Sequence, residues 1–142
     1  MSMTLETANF IIAGALAAGR QHGFKPLTVV VLDAGGHVIA AARQDGASNN
    51  RFEIAQGKAY GALALGMGSR AIMERAEQQA YFIAAAAAAL GGRLIPVPGG
   101  VLVRDNDGTI QGAVGISGDS SDNDETAAST AIEAAGLTAQ VD

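Results

Sequence analysis

Apolar residues recur at helical spacing near the N-terminus. Leu5, Ala8, Ile11, Ile12, Ala15 and Leu16 share one face, and Thr4 stands where an N-cap belongs. Gly23 supplies a left-handed stop, and Pro26 bars continuation. The period then changes. Leu27 to Leu32 is a run rich in β-branched residues, Asp33-Ala34-Gly35-Gly36 reads as a turn, and His37 to Arg43 returns as a second strand. Val29, Val30, Val31 and Leu32 show no polar alternation, so this strand is expected to be covered on both faces.

A polar loop, Gln44 to Asn49, leads to Asn50 and Glu53, which have capping-box spacing, and a helix is expected to about Gly66. Gly66-Met67-Gly68 breaks it, and Ser69 can cap a short helix from Arg70 to about Gln79. The alanine-rich segment Tyr81 to Leu90 reads as a buried helix ended by Gly91-Gly92. Val101 to Arg104 and Thr109 to Ser117 flank the hairpin signal Asn106-Asp107-Gly108. Ser121 and Asp124 form a second capping box, and the last helix stops at Gly136, with Leu137 placed for a Schellman-type apolar contact. The expected fold is α/β of the α+β type. Two hairpins merge into a single antiparallel sheet with helices on both faces, in the order α-β-β-α-α-α-β-β-α. No linker or tandem repeat appears, so residues 1–142 are expected to form one domain.

Composition narrows the function classes. Hydrophobic residues make up 49% of the 142, which is enough for a core, but with no tryptophan and 19 glycines that core must rely on close backbone packing. A formal charge of -5 without a basic cluster argues against nucleic acid and against anionic membrane surfaces. The absence of cysteine removes disulfides, thiolate nucleophiles and zinc-thiolate sites. No signal-peptide pattern follows Met1, and the longest apolar stretch is about half a bilayer span; a cytoplasmic location is expected.

Several segments together resemble a known family. They are Val30-Val31-Leu32-Asp33-Ala34-Gly35-Gly36-His37-Val38, Arg43-Gln44-Asp45-Gly46, Gly57-Lys58-Ala59, Pro98-Gly99-Gly100-Val101 and Gly112-Ala113-Val114-Gly115-Ile116-Ser117-Gly118. Their order and spacing are similar to those of the GlcG/HbpS-like family, from about Leu5 to Gly136. The resemblance implies an antiparallel sheet of about five strands between helical layers, and a homo-oligomer. Relatives of that kind include haem-binding sensors, a domain attached to corrinoid adenosyltransferases of the PduO type, proteins of glycolate-utilisation clusters and lyases acting on hydroxylaminobenzoate. Haem is the cofactor the resemblance suggests. Many members carry Lys-Ala-Arg where this chain has Lys58-Ala59-Tyr60, so a cation is replaced by a phenol.

The candidate site residues follow from their surroundings. Ile54, Ala55, Ala59 and Ala62 place Lys58 on or beside an apolar stripe, where an amine can have a lowered pKa or meet a ligand carboxylate; the structural alternative is a stem on the core with its ammonium in water. The elbow Pro96 to Val101 has its shape fixed by prolines; its Pro98, Gly99 and Gly100 join the ligand-binding set because the two glycines can leave open N–H groups for a carboxylate, or the elbow can simply be a tight strand entry. Tyr60 and Tyr81 are the only tyrosines, and one of them is expected to face a pocket reached by Lys58. Arg43, beside Asp45, can hold a carboxylate or cap a turn, and Ser120 joins the ligand-binding set. In an enzyme, Lys58 and Tyr60 would be the catalytic pair.

His22 and His37 have no ligand spacing and read as surface residues, and Met67 and Met73 read as core. Asp119, Asp122, Asp124 and Glu125 do not match a calcium loop and suit helix capping; no metal site is expected. Two functions remain: a binder of haem or a related planar or carboxylate-bearing ligand, or a cofactor-independent lyase or isomerase acting on a small aromatic or 2-hydroxy-acid-like anion.

Overall fold

The structure, a computed structural model, describes residues 2–142. Its elements are α1 (Leu5–His22), β1 (Thr28–Asp33), β2 (Val38–Arg43), α2 (Arg51–Leu65), α3 (Ser69–Gln78), α4 (Ala80–Ala89), β3 (Gly100–Arg104), β4 (Ile110–Ser117), α5 (Ser121–Ala134) and β5 (Thr138–Gln140). The strands form one antiparallel sheet in the order β2-β1-β4-β3-β5. The expected element order holds. The fifth strand is the short β5, which pairs with β3 after the last helix.

The two hairpins merge because β1 pairs with β4, Thr28 opposite Ser117 and Val31 opposite Val114. That places β1 inside the sheet and accounts for its unbroken apolar run. Val29 and Val31 point into a core shared with α1 and α5, and Val30 and Leu32 point into a second core under α2. One face of the sheet thus carries α1 and α5, and the other carries α2.

Small residues set the spacing of these layers. A Cβ on Gly115 of β4 would run into the backbone carbonyl of Ala55, and one on Gly100 of β3 into that of Lys58. Helix α2 therefore lies directly against the sheet backbone, at a distance that larger side chains would forbid.

Four local expectations change. The N-cap of α5 is Ser120, whose hydroxyl accepts from Asn123 N–H at 3.1 Å. Asp124 is thereby freed from capping. Ser69 does not cap α3, because its hydroxyl accepts the Gly100 N–H at 2.7 Å. Asn50 makes no side-chain cap. The alanine-rich helix is not buried either. Only Ile83 is fully covered in α4, and Tyr81 is 74% exposed. Helix α4 packs on α3 as an arm, around Ile72, Ile83 and Leu94. No helix of the described residues is long and apolar enough to cross a membrane.

Candidate functional site

Lys58 projects from the sheet-facing side of α2, one turn after Ala55, so its stem must enter the protein. The side chain is 2% exposed. Its Nζ donates to the Ile116 carbonyl at 2.9 Å and to Asp124 Oδ2 at 3.1 Å. Asp124 is 1% exposed, and its other oxygen accepts the Asp119 N–H at 3.0 Å. Burial pushes the Lys58 ammonium down from its ordinary range and Asp124 up from its own; their mutual attraction opposes both shifts. The pair joins α2, β4 and α5, and so ties the two helical layers together.

The glycine elbow adjoins this pair. Gly99 has φ +120°, and a Cβ there would lie 2.9 Å from Lys58 Nζ. A side chain is thus excluded by backbone conformation and by the lysine together. The amine and the glycine pair do meet, but the contact is filled. Pro98, Gly99 and Gly100 are all buried, and the Gly100 N–H expected to stand open is donated to Ser69.

The remaining candidates lie elsewhere. Arg43, at the end of β2, is exposed and donates to the Ala47 carbonyl at 2.9 Å, as a turn cap. Asp45 forms no ion pair with it among the described residues. Ser120 is exposed and engaged as the α5 cap. Tyr81 is on the outer arm, not beside Lys58. His22 stacks on Phe24 with ring centroids 5.4 Å apart. Met67 is half-buried in the α3–α4 cluster. Of the acidic group, Asp122 and Glu125 hold the Arg70 guanidinium, and Asp119 accepts the Lys25 N–H at 2.7 Å. Among the described residues no three His, Cys, Asp or Glu side chains converge on a cation site.

Tyr60 faces the opposite end of the sheet. Its ring packs against the β1–β2 turn so closely that a Cβ on Gly36 would lie 2.7 Å from Cε2, and the Arg93 guanidinium stacks on it at 3.9 Å. Ala34, Gly35, Gly36, Tyr60, Leu63 and Ala64 line a shallow depression of about 130 Å³. A larger one, about 210 Å³, lies between α1 and α5, where Glu6 is the only charged lining residue; an acidic rim suits a carboxylate-bearing ligand poorly.

The sequence reading missed both contacts that define these places. For Lys58 and Asp124 a signal existed. Asp124 precedes Ala127, Ala128, Ala131 and Ile132 at helical spacing, so it stands on the core face of α5 just as Lys58 stands on that of α2. Opposite charges on two inward faces are candidates for each other. Nothing in the sequence pointed to Arg93 over Tyr60.

Comparison with known proteins agrees with the architecture. None of the curated proteins matches significantly. Among solved structures, a PduOC–haem complex superposes with TM-score 0.86 at 25% identity, over 96% of this chain and 97% of that one. The Klebsiella pneumoniae protein ORFY gives TM-score 0.83 at 24% identity, over 94% and 90%. A doubly substituted HbpS from Streptomyces reticuli gives TM-score 0.80 at 24% identity, over 94% and 87%. The last two likenesses bear on the fold alone. A protein-family model described as "Haem degrading protein HbpS-like" matches residues 3–133. With that match spanning nearly all of the described structure, the chain belongs to the HbpS-like family.

Proposed function

We propose that this protein binds haem, or a related planar carboxylate-bearing ligand, without catalysing a reaction, and does so as a homo-oligomer of single-domain subunits. The observation that carries the reading is the superposition over nearly the full length of both chains on a protein solved with haem bound. The residues present suit such a group at the Tyr60 depression. Tyr60 offers an aromatic edge, and exposed Arg93 offers a cation for a carboxylate. The depression, at about 130 Å³, is well below the ~300–1,000 Å³ of an enclosing ligand pocket. One chain therefore covers only part of a porphyrin, which fits a site completed by a second copy.

Helix α4 supports the oligomer. Tyr81, Ala84, Ala85 and Ala88 are exposed and follow the i, i+3, i+4, i+7 spacing of a single apolar face. The competing lyase reading needs Lys58 to exchange protons with substrate, and its engagement with Asp124 and Ile116 counts against that.

Haemin titration of the purified protein tests the proposal. A Soret shift saturating at a fixed ratio per subunit is expected, with no ammonia released from an aryl hydroxylamine acid. A featureless, non-saturating titration removes the haem reading, and ammonia release by the wild-type chain establishes the lyase instead.

A further inference from the structure

Helices α1 and α5 meet at small residues. A Cβ on Gly14 would lie 3.4 Å from the Ala131 Cβ. From that contact toward the start of α1, the same face presents Phe10 and then Thr7, with Glu6 beside them. From Ala131 toward the end of α5, it presents Ala134 and Ala135. These five residues border the depression of about 210 Å³ between the two helices. Phe10 is 55% exposed, an unusual place for a phenylalanine with nothing of its own chain to cover it.

The electrostatics of this place are one-sided. Glu6 makes no ion pair among the described residues. Helix α5 has Asp122 and Asp124 in its first turn and no basic residue in its last, so the negative end of its dipole is left without a cation. The N–H groups of Ala135, Leu137 and Gly136 donate to the carbonyls of Ala131, Ile132 and Glu133. Among the described residues no N–H reaches the carbonyls of Ala134 and Ala135. Alanine has no polar side-chain atom, so the polarity these two residues bring to the depression is that of their backbone. Phe10 adds an aromatic ring, whose face carries negative potential.

We propose that this depression binds a small organic ammonium, an alkyl or aryl amine in its protonated form. The Glu6 carboxylate and the two free carbonyls are acceptors without donors of their own, and an ammonium is all donor, with three N–H groups and no acceptor. The Phe10 ring attracts the cation and covers its carbon body, and the alanine methyls complete the apolar wall. At about 210 Å³ the space is below the ~300–1,000 Å³ of a drug-sized pocket, which limits the ligand to a short chain or a single ring. The site lies on the α1–α5 side of the sheet, away from Tyr60 and α2, and does not rest on the haem reading.

The test is a titration of the full chain with phenethylamine, 2-phenylethanol and phenylacetate, which share a ring and differ in their head group, read by ¹H–¹⁵N correlation spectra. Phenethylamine is expected to shift the amide signals of Thr7, Ala135 and Gly136 along a saturating, millimolar curve. The alcohol and the carboxylate should bind at least tenfold more weakly. Glu6→Gln is expected to weaken amine binding at least tenfold, and Phe10→Ala severalfold, whereas Glu133→Gln, exposed but outside the lining, should leave it unchanged. All three side chains are exposed, so the variants are expected to fold, which circular dichroism checks. Equal binding of the alcohol overturns the proposal, since the depression is then only apolar. Equal loss in Glu6→Gln and Glu133→Gln also overturns it, because a diffuse field then does the work. So does the absence of any saturating shift, or a shift of the same signals on concentrating the protein alone that the amine fails to reverse, which puts a second copy there. Haemin titration of Glu6→Gln should match wild type, so this site and the haem reading fail separately.

Discussion

Lys58 shows how one buried charge constrains its surroundings. An ammonium away from water needs both an anion and further acceptors, and Asp124 and the Ile116 carbonyl supply them. Replacing one partner leaves the other charge stranded. Lys58→Met or Asp124→Leu alone is expected to lower the unfolding free energy by about 3–5 kcal/mol. The double variant should recover most of that loss, because two apolar side chains of similar size leave no charge unpaired. Urea denaturation of the four proteins measures the coupling; equal loss in the double and single variants would show that packing, not charge, dominates.

Asp119 gives a pH dependence. The Lys25 N–H, followed by the Asn123 amide and the Ser120 N–H, holds its carboxyl below the ordinary 3.8. A group lowered in the folded state stabilises fully above the unfolded value and loses that contribution as pH falls through the folded one. Asp119→Ala should therefore be less stable than wild type at pH 7. The difference should shrink as pH drops below about 3.8, as thermal melts across pH 2–7 would record.

At the scale of elements, the layer spacing depends on glycines that face backbone. Gly115→Ala would press a methyl against the Ala55 carbonyl, and neither strand β4 nor helix α2 can move without disturbing the sheet. The expected cost is about 3 kcal/mol or more, at or beyond the upper end for an overpacked core. Gly91→Ala would meet nothing within 4 Å and carries only the strain of φ +64°, so it should cost about 1 kcal/mol. Urea midpoints of the two variants rank them directly. The period of apolar residues disclosed α1, β-branched runs and turn signals disclosed both hairpins, and capping residues with glycine stops disclosed α2 and α5. Helix α4 was misread as buried because alanine is equally compatible with a core and with an exposed apolar face. Strand β5 escaped pattern reading because three residues carry no period; it exists through its pairing with β3.

For the whole molecule, the proposed homo-oligomer is tested at α4. Light scattering should give a mass that is a multiple of the subunit's. Ala84→Glu with Ala88→Glu puts two carboxylates on the exposed stripe and should lower that mass without changing the far-ultraviolet dichroism, since both positions face solvent within the chain. An unchanged mass would place the subunit contact on another surface. If the porphyrin is shared between copies, the same variant should also bind haemin more weakly.

The sequence by itself determined the helices, the hairpins and the two-sided burial of β1, because these follow from local period, turn chemistry and the chain's own small residues. It also pointed to Lys58 and the glycine elbow together; in the structure a Cβ added at Gly99 would lie 2.9 Å from Nζ, and the contact between them is filled. Only the tertiary structure decided what that locus contains. Lys58 and Asp124 are 66 residues apart, and the pairing of β1 with β4 brings α2 and α5 to the same end of the sheet. Likewise, Tyr60 meets Gly36 because α2 packs on β1 beside the β1–β2 turn. Contacts between residues distant in sequence depend on how layers stack, and stacking leaves no period in the chain to read.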